Sequence, residues 1–215
     1  MKKLIIIGAS GFGREVAWLV ERINKAEPTW DLLGFVDDNE AIHGTEVNSY
    51  RVLGDYRCLG QYADAYVVCA IGAAKTRKSV IEKIQAIYPD TRYATLVDPS
   101  VEMSEHVSIG KGTIICAHTI LTVNIDVGEH VVLNLDCTVG HDVVLKDFVT
   151  AYPSVNISGN TELGPCSEIG TGSQIIQGKK IGANAIVGAG SVVVKDIPEN
   201  CTAVGIPAKP IKFFD

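Results

Sequence analysis

The stretch Val127-Gly128-Glu129-His130-Val131-Val132-Leu133-Asn134-Leu135-Asp136-Cys137-Thr138-Val139-Gly140-His141-Asp142-Val143-Val144-Leu145 places an apolar residue at every sixth position: Val127, Leu133, Val139 and Leu145. Followed outward, the same phase runs from Val97 to Val193 through Met103, Ile109, Ile115, Leu121, Ala151, Ile157, Leu163, Ile169, Ile175, Ile181 and Val187. No rung is polar and no insertion interrupts the series. Apolar residues make up 47% of the chain, so an unbroken run of this length would arise by chance roughly a few times in a million.

Six is a multiple of the strand period of two and fits the helical period of 3.6 poorly, so the segment reads as extended chain with its rungs facing inward. The position two residues before each rung faces the same way. It holds small or β-branched residues such as Thr113, Cys137, Val155, Ser173 and Ala185, with Lys179 the exception. Glycine often follows the rung, as at Gly110, Gly128, Gly140, Gly164, Gly170, Gly182 and Gly188, which implies bends at regular spacing. Short flat strands, regular bends and a continuous apolar seam predict a parallel β-helix whose coils stack about 4.8 Å apart.

The N-terminal third follows another pattern. Leu4 to Ile7 reads as a buried strand, Gly8-Ala9-Ser10-Gly11-Phe12-Gly13 as a glycine-rich turn, and Arg14 to Lys25 as a helix. A strand from Leu32 to Val36 ends at Asp37-Asp38. A third, Ala65 to Ile71, ends at Gly72, a helix covers Thr76 to Ile87, and a last strand from Tyr93 to Val97 enters the repeat. This is an α/β unit of the Rossmann-like βαβαβ type, with a parallel sheet and ligand sites at the carboxyl ends of its strands. Two domains are expected, residues 1–96 and 97–215.

Glycines let the backbone approach a diphosphate, and the helix N-terminus offers free N–H groups and partial positive charge. Gly8, Ser10, Gly11 and Gly13 are therefore candidate substrate-binding residues, with Asp37, Asp38 and Gly72 at neighbouring strand ends. Serine stands where the strict dinucleotide fingerprint has its second glycine. About 96 residues is small for a full dinucleotide domain, so a mononucleotide-like ligand fits better than NAD.

Composition narrows the class. Charged residues are 20% of the 215-residue chain, as in ordinary soluble proteins. The apolar run after Met1-Lys2-Lys3 is too short for a signal peptide or a membrane span. Six cysteines without CxxC spacing suit a reduced, cytoplasmic setting, and no metal site is expected. Residues 1–96 are charge-balanced, so the net charge of −6 belongs to the repeat region. Nucleic-acid binding would require the opposite sign.

The combination of Gly8-Ala9-Ser10-Gly11-Phe12-Gly13-Arg14-Glu15-Val16, Gly34-Phe35-Val36-Asp37-Asp38, the repeat, and the closing Val204-Gly205-Ile206-Pro207-Ala208-Lys209 resembles the NeuD/PglD-type sugar acetyltransferases of the hexapeptide-repeat superfamily. The resemblance spans essentially the whole chain. It implies a left-handed β-helix of roughly five to six coils, an exception to the right-handed crossover rule. It also implies a homotrimer, acetyl-CoA as cosubstrate, and a nucleotide-sugar bound by the N-terminal domain.

Acyl transfer calls for a base near neutral pKa, and histidine is the usual one. His43 lies in a loop. His106, His118 and His130 each stand three residues after a rung and read as solvated bend residues. His141 breaks that phase in Val139-Gly140-His141-Asp142. The resemblance makes His141 the general base, with Asp142 orienting its imidazole, and Asn134 a residue holding the sugar's nucleophile. Relatives often carry a second histidine on the thioester oxygen nine residues after the base; here that position is Thr150. Gly170, Gly188, Ala189 and Lys195 are the matching acetyl-CoA contacts. Two other readings stay open: O-acetylation of a free sugar such as sialic acid, and a non-catalytic trimeric scaffold.

Overall fold

The computed structural model describes residues 1–214. Its first part is a sheet of β1 (Lys2–Ile7), β2 (Trp30–Val36), β3 (Glu46–Val47), β4 (Tyr50–Gly54), β5 (Tyr66–Cys69) and β6 (Arg92–Tyr93), in the order β3-β4-β2-β1-β5-β6. All pairings are parallel except β3 with β4. Helix α1 (Gly11–Ala26) buries Val16, Ala17, Leu19 and Val20, and α2 (Ala74–Ile87) buries Ile81, Ile84 and Arg77. The apolar spacing of both helices therefore does what it predicts.

Two local features depart from the sequence reading. The β3–β4 hairpin was not expected; its Asn48 and Ser49 both have positive φ, 48° and 68°, as a two-residue type I′ turn requires. The strand read from Tyr93 to Val97 is two strands in different sheets: β6 ends the first sheet, and Leu96–Val97 pairs with Ile114–Ile115 in the first coil contact.

From there the chain winds as a parallel β-helix with three faces. Strands pair at offsets of one coil, Leu133 with Ala151 and Ala151 with Ile169 on the first face, Leu121 with Val139 on the second, Val127 with Leu145 on the third. Every rung from Ile115 to Val193 lies in one buried core. Met103, read as inward, is 48% exposed, because the first coil has nothing stacked beneath it.

The corners are made differently from the expectation. From Ile109 to Val187 the left-handed residue is the third after each rung: His118, Asn124, His130, Asp136, Asp142, Phe148, Ser154, Asn160, Cys166 and Asn184 all have φ between 54° and 62°, and glycine fills the remaining corners. The glycines that directly follow the rungs are not the left-handed residues. Asn and Asp tolerate this region best among side chains, which accounts for much of the corner composition.

The first part docks on the first face of the β-helix. Leu96, Ile114 and Val132, which point outward from successive coils, are fully buried against α1 together with Val16 and Leu19. Each such side chain contributes roughly 1.5–3 kcal/mol when removed from water. Higher on the same face the joint is polar. Arg77 of α2, 0% exposed, donates to the carbonyls of Ile71, Gly72, His130, Phe148 and Val149 and to the Thr150 hydroxyl. Glu168 adds a bond from the coils to the first turn of α2, accepting from the Ala74 N–H at 2.9 Å. Among the described residues no helix is long and apolar enough to cross a membrane.

Candidate active site

The glycine-rich turn lies at the carboxyl ends of β1, β2 and β5, where a cavity of about 200 Å³ is lined by Gly8, Ser10, Asp37, Asp38, Tyr56, Ile71 and Thr76 among others. The turn packs so tightly that a Cβ on Gly13 would stand 1.9 Å from the Gly8 carbonyl oxygen, so only glycine lets α1 start there. Ser10 occupies the N-cap of α1 without making a side-chain cap bond. Asp37 braces the turn, accepting from the Ala9 N–H at 2.8 Å and the Asn39 N–H at 2.9 Å, while Asp38 is exposed at the cavity wall. Gly72 sits just past β5 with its carbonyl committed to Arg77 and Thr150.

A larger, mostly apolar cavity of about 290 Å³ lies at the other end of the sheet, between Leu59, Ala65 and Tyr88. It is remote from the turn and contains none of the chemistry expected of the site.

His141 stands at the corner after the second face, half-exposed, with Nδ1 2.8 Å from Asp142 Oδ2. Adjacent residues on a strand diverge, but Asp142 has φ 57°, and that left-handed turn brings its carboxylate beside the imidazole. A carboxylate can only accept, so Nδ1 carries the hydrogen and Nε2 presents its lone pair. Asn124, one coil below, donates to the other carboxylate oxygen at 3.2 Å. The His141 and Asn124 bonds hold the Asp142 carboxyl below its ordinary range. The pair can hold the ring with Nε2 as its proton-accepting atom.

Asn134 lies at the corner after the first face of the same coil, nearly buried, its side-chain oxygen accepting from the Leu135 N–H at 2.7 Å. One strand segment separates that corner from the His141 corner, so a single chain does not bring Asn134 and His141 together. Gly170, Gly188 and Ala189 belong to the Asn134 corner column in higher coils, and exposed Lys195 to the His141 column.

Two expectations are corrected. Thr150 is 0% exposed; its hydroxyl donates to the Gly72 carbonyl at 2.8 Å and accepts from Arg77 at 2.9 Å. It belongs to the joint between the two parts of the chain, with no hydrogen left for a thioester. His130, read as solvated, is 1% exposed, stacked on Phe148 at 5.1 Å and edge-on to Tyr93 at 4.7 Å. Burial, then the nearby Arg77 charge, pushes its pKa down to about 4. His106 and His118 are exposed as expected.

The joint residues Arg77 and Glu168 escaped the sequence reading, as did Tyr152, whose hydroxyl donates to Glu168 at 2.9 Å. One signal was available: the outward position one residue before the rung is apolar at Leu96, Ile114 and Val132, spaced by one coil, and marks the docking face.

The fold is that of a hexapeptide-repeat acyltransferase, and this chain is an enzyme of that class. Residues 3–84 match the family described as the PglD N-terminal domain. A GDP-perosamine N-acetyltransferase of Escherichia coli is 33% identical over 214 residues, covering 96% of this chain and 95% of that protein. The acetyltransferase domain of PglB from Neisseria gonorrhoeae superposes with a TM-score of 0.88 at 31% identity, over 98% of this chain and 100% of that one, and has also been solved with acetyl coenzyme A. PerB from Caulobacter crescentus, in complex with CoA and GDP-perosamine, gives a TM-score of 0.85 at 27% identity, over 98% of this chain and 97% of that one. The chain belongs to the NeuD/PglD-type sugar acetyltransferases.

Proposed function

We propose that the protein transfers the acetyl group of acetyl-CoA to the amino group of a nucleotide-linked amino-sugar, with GDP-perosamine the acceptor best supported by its relatives. The observation that carries this reading is the His141–Asp142 pair, 2.8 Å apart at an open corner with Nε2 free. Relatives matched end to end are named for this chemistry, and a Caulobacter crescentus relative with a histidine replaced is described in complex with both CoA and GDP-perosamine.

In the proposed reaction the sugar amine attacks the thioester carbonyl while His141 Nε2 takes its proton. The C–N bond forms, the C–S bond of the tetrahedral intermediate breaks, and the imidazolium returns the proton to the departing CoA thiolate. Asp142 holds the ring in the reactive tautomer and stabilises the imidazolium. No metal and no covalent enzyme intermediate are needed. The cavity beside Gly8, Ser10, Gly11 and Gly13 is assigned to the nucleotide diphosphate, with Asp38 toward the ribose or base.

A homotrimer completes the site. Asn134 and His141 occupy different corners, so a corner of one copy must meet another corner of the next for both to touch one acceptor. Ile120, Val123, Ile176 and Val194, each 36–42% exposed on the second face and its corner column, favour such burial. Acetyl-CoA then lies between copies, along Gly170, Gly188 and Ala189 with Lys195 near a phosphate.

The test is CoA release, measured with GDP-, UDP- and dTDP-linked amino-sugars beside free sialic acid. Turnover is expected with a nucleotide-linked amino-sugar; exclusive turnover of the free sugar would overturn the acceptor assignment.

A further inference from the structure

Glu168 binds groups from both parts of the chain. It faces outward from the first face, one coil above Thr150. Its Oε1 accepts from the Ala74 N–H at 2.9 Å, and its Oε2 accepts from the Tyr152 hydroxyl at 2.9 Å.

The first bond caps a helix from outside its own domain. The first N–H groups of a helix have no partner within it, and α2 begins after Ala73, whose side chain has no oxygen to offer them. The Glu168 carboxylate takes that place and sets its negative charge at the positive end of the helix. Burial of Arg77 in the same turn pushes its pKa down, and the Glu168 charge opposes that shift. This turn is also a wall of the glycine-turn cavity, which is lined by Thr76 and, just before the helix, by Ile71.

The second bond reaches the coils around Asn134. Ala151 pairs with Leu133, and the Asn134 N–H donates to the Ala151 carbonyl at 2.9 Å, so Tyr152 lies one coil above Asn134 in the same column. The Tyr152 ring also packs on Gly72, where an added Cβ would stand 3.6 Å from it. One carboxylate thus ties the wall of the glycine-turn cavity to the column of the Asn134 corner.

We propose that Glu168 is a positioning residue for acetyl transfer: it fixes the first turn of α2 against the coils and so sets where an acceptor held in the glycine-turn cavity meets them. Transfer needs the reacting atoms within about 3–3.5 Å, and a misplacement of about 1 Å can cost about 100-fold. A ligand anchored on one part of the chain and acetylated beside the other feels any slack at the joint. Tyr152 acts through Glu168 by holding its second oxygen. The inference rests on the nucleotide-sugar reading of the cavity and adds the residue that keeps the cavity in register with the coils.

The test is steady-state CoA release from acetyl-CoA and GDP-perosamine by the full-length protein, with GDP and acetyl-CoA affinities measured by calorimetry. Glu168→Ala is expected to lower kcat about 10-fold while both affinities stay within about threefold. Glu168→Gln, whose amide accepts from the Ala74 N–H and donates to the Tyr152 oxygen, is expected to recover most of that loss. Tyr152→Phe removes one bond and is expected to lower kcat about threefold; it carries the test if Glu168→Ala does not fold. Unchanged kcat in Glu168→Ala, or in Tyr152→Phe where the alanine variant does not fold, overturns the positioning role and leaves the nucleotide-sugar reading intact. A loss that disappears at saturating GDP-perosamine does the same. A wild type that binds no GDP and releases no CoA removes that reading, and the positioning role with it.

Discussion

Gly159 lies directly against the His141 imidazole from the next coil: a Cβ placed on Gly159 would stand 2.5 Å from His141 Nε2 and 2.6 Å from its Cε1. The base therefore rests on the backbone of the coil above it in sequence. Gly159 has no positive φ, so alanine suits its backbone, and the three atoms nearest its methyl all belong to the ring. Gly159→Ala is expected to leave the melting temperature nearly unchanged while displacing the imidazole and lowering kcat about 10-fold or more. Steady-state kinetics beside a thermal melt checks this.

Asp142 offers a second handle on the same ring. Replacing it with Asn keeps the side-chain shape but offers Nδ1 an N–H donor as readily as an acceptor, so the Nε2-protonated tautomer becomes competitive. Asp142→Asn is expected to lower kcat by at least about 10-fold with acetyl-CoA affinity preserved. Calorimetry with acetyl-CoA beside kinetics separates the two effects.

Arg77 ties the first part of the chain to the coils. Arg77→Met retains most of the volume but leaves buried carbonyls of both parts without a donor. A loss of about 3 kcal/mol is expected, read as a lower urea midpoint.

His130 makes stability depend on pH. Its folded pKa of about 4 lies below the ordinary 6.5, so the unfolded chain binds more protons between those values. The stability is fully present above about pH 6.5 and is lost as pH falls toward 4, by up to ~3 kcal/mol. His130→Phe, stacked on Phe148 in the same way, is expected to flatten this dependence. Urea unfolding at pH 7.5 and pH 5 measures the difference.

The β-helix was legible because its period is local: each rung from Ile115 to Val193 is buried by its own coil and the next. His141 stood out because it breaks the phase of the other repeat histidines. What the sequence hid depends on docking. His130 occupies the same position after its rung as exposed His118, and Tyr93, Phe148 and the docked α2 bury it. Thr150 is a polar outward residue like Thr138 two faces earlier, yet Arg77 seals it. A helical arginine gives no periodic sign that it will be fully buried, and the β3–β4 hairpin has only two residues in its first strand. The sequence also ordered Asn134 and His141 along one coil without showing that they sit at different corners.

The central claim is that His141 removes the acceptor's proton. It is tested most directly by His141→Ala, with CoA release from acetyl-CoA and GDP-perosamine measured beside acetyl-CoA binding and oligomeric state. The account predicts kcat lower by about 10²–10⁴-fold, with binding and assembly unchanged. Near-normal turnover in that variant would contradict it.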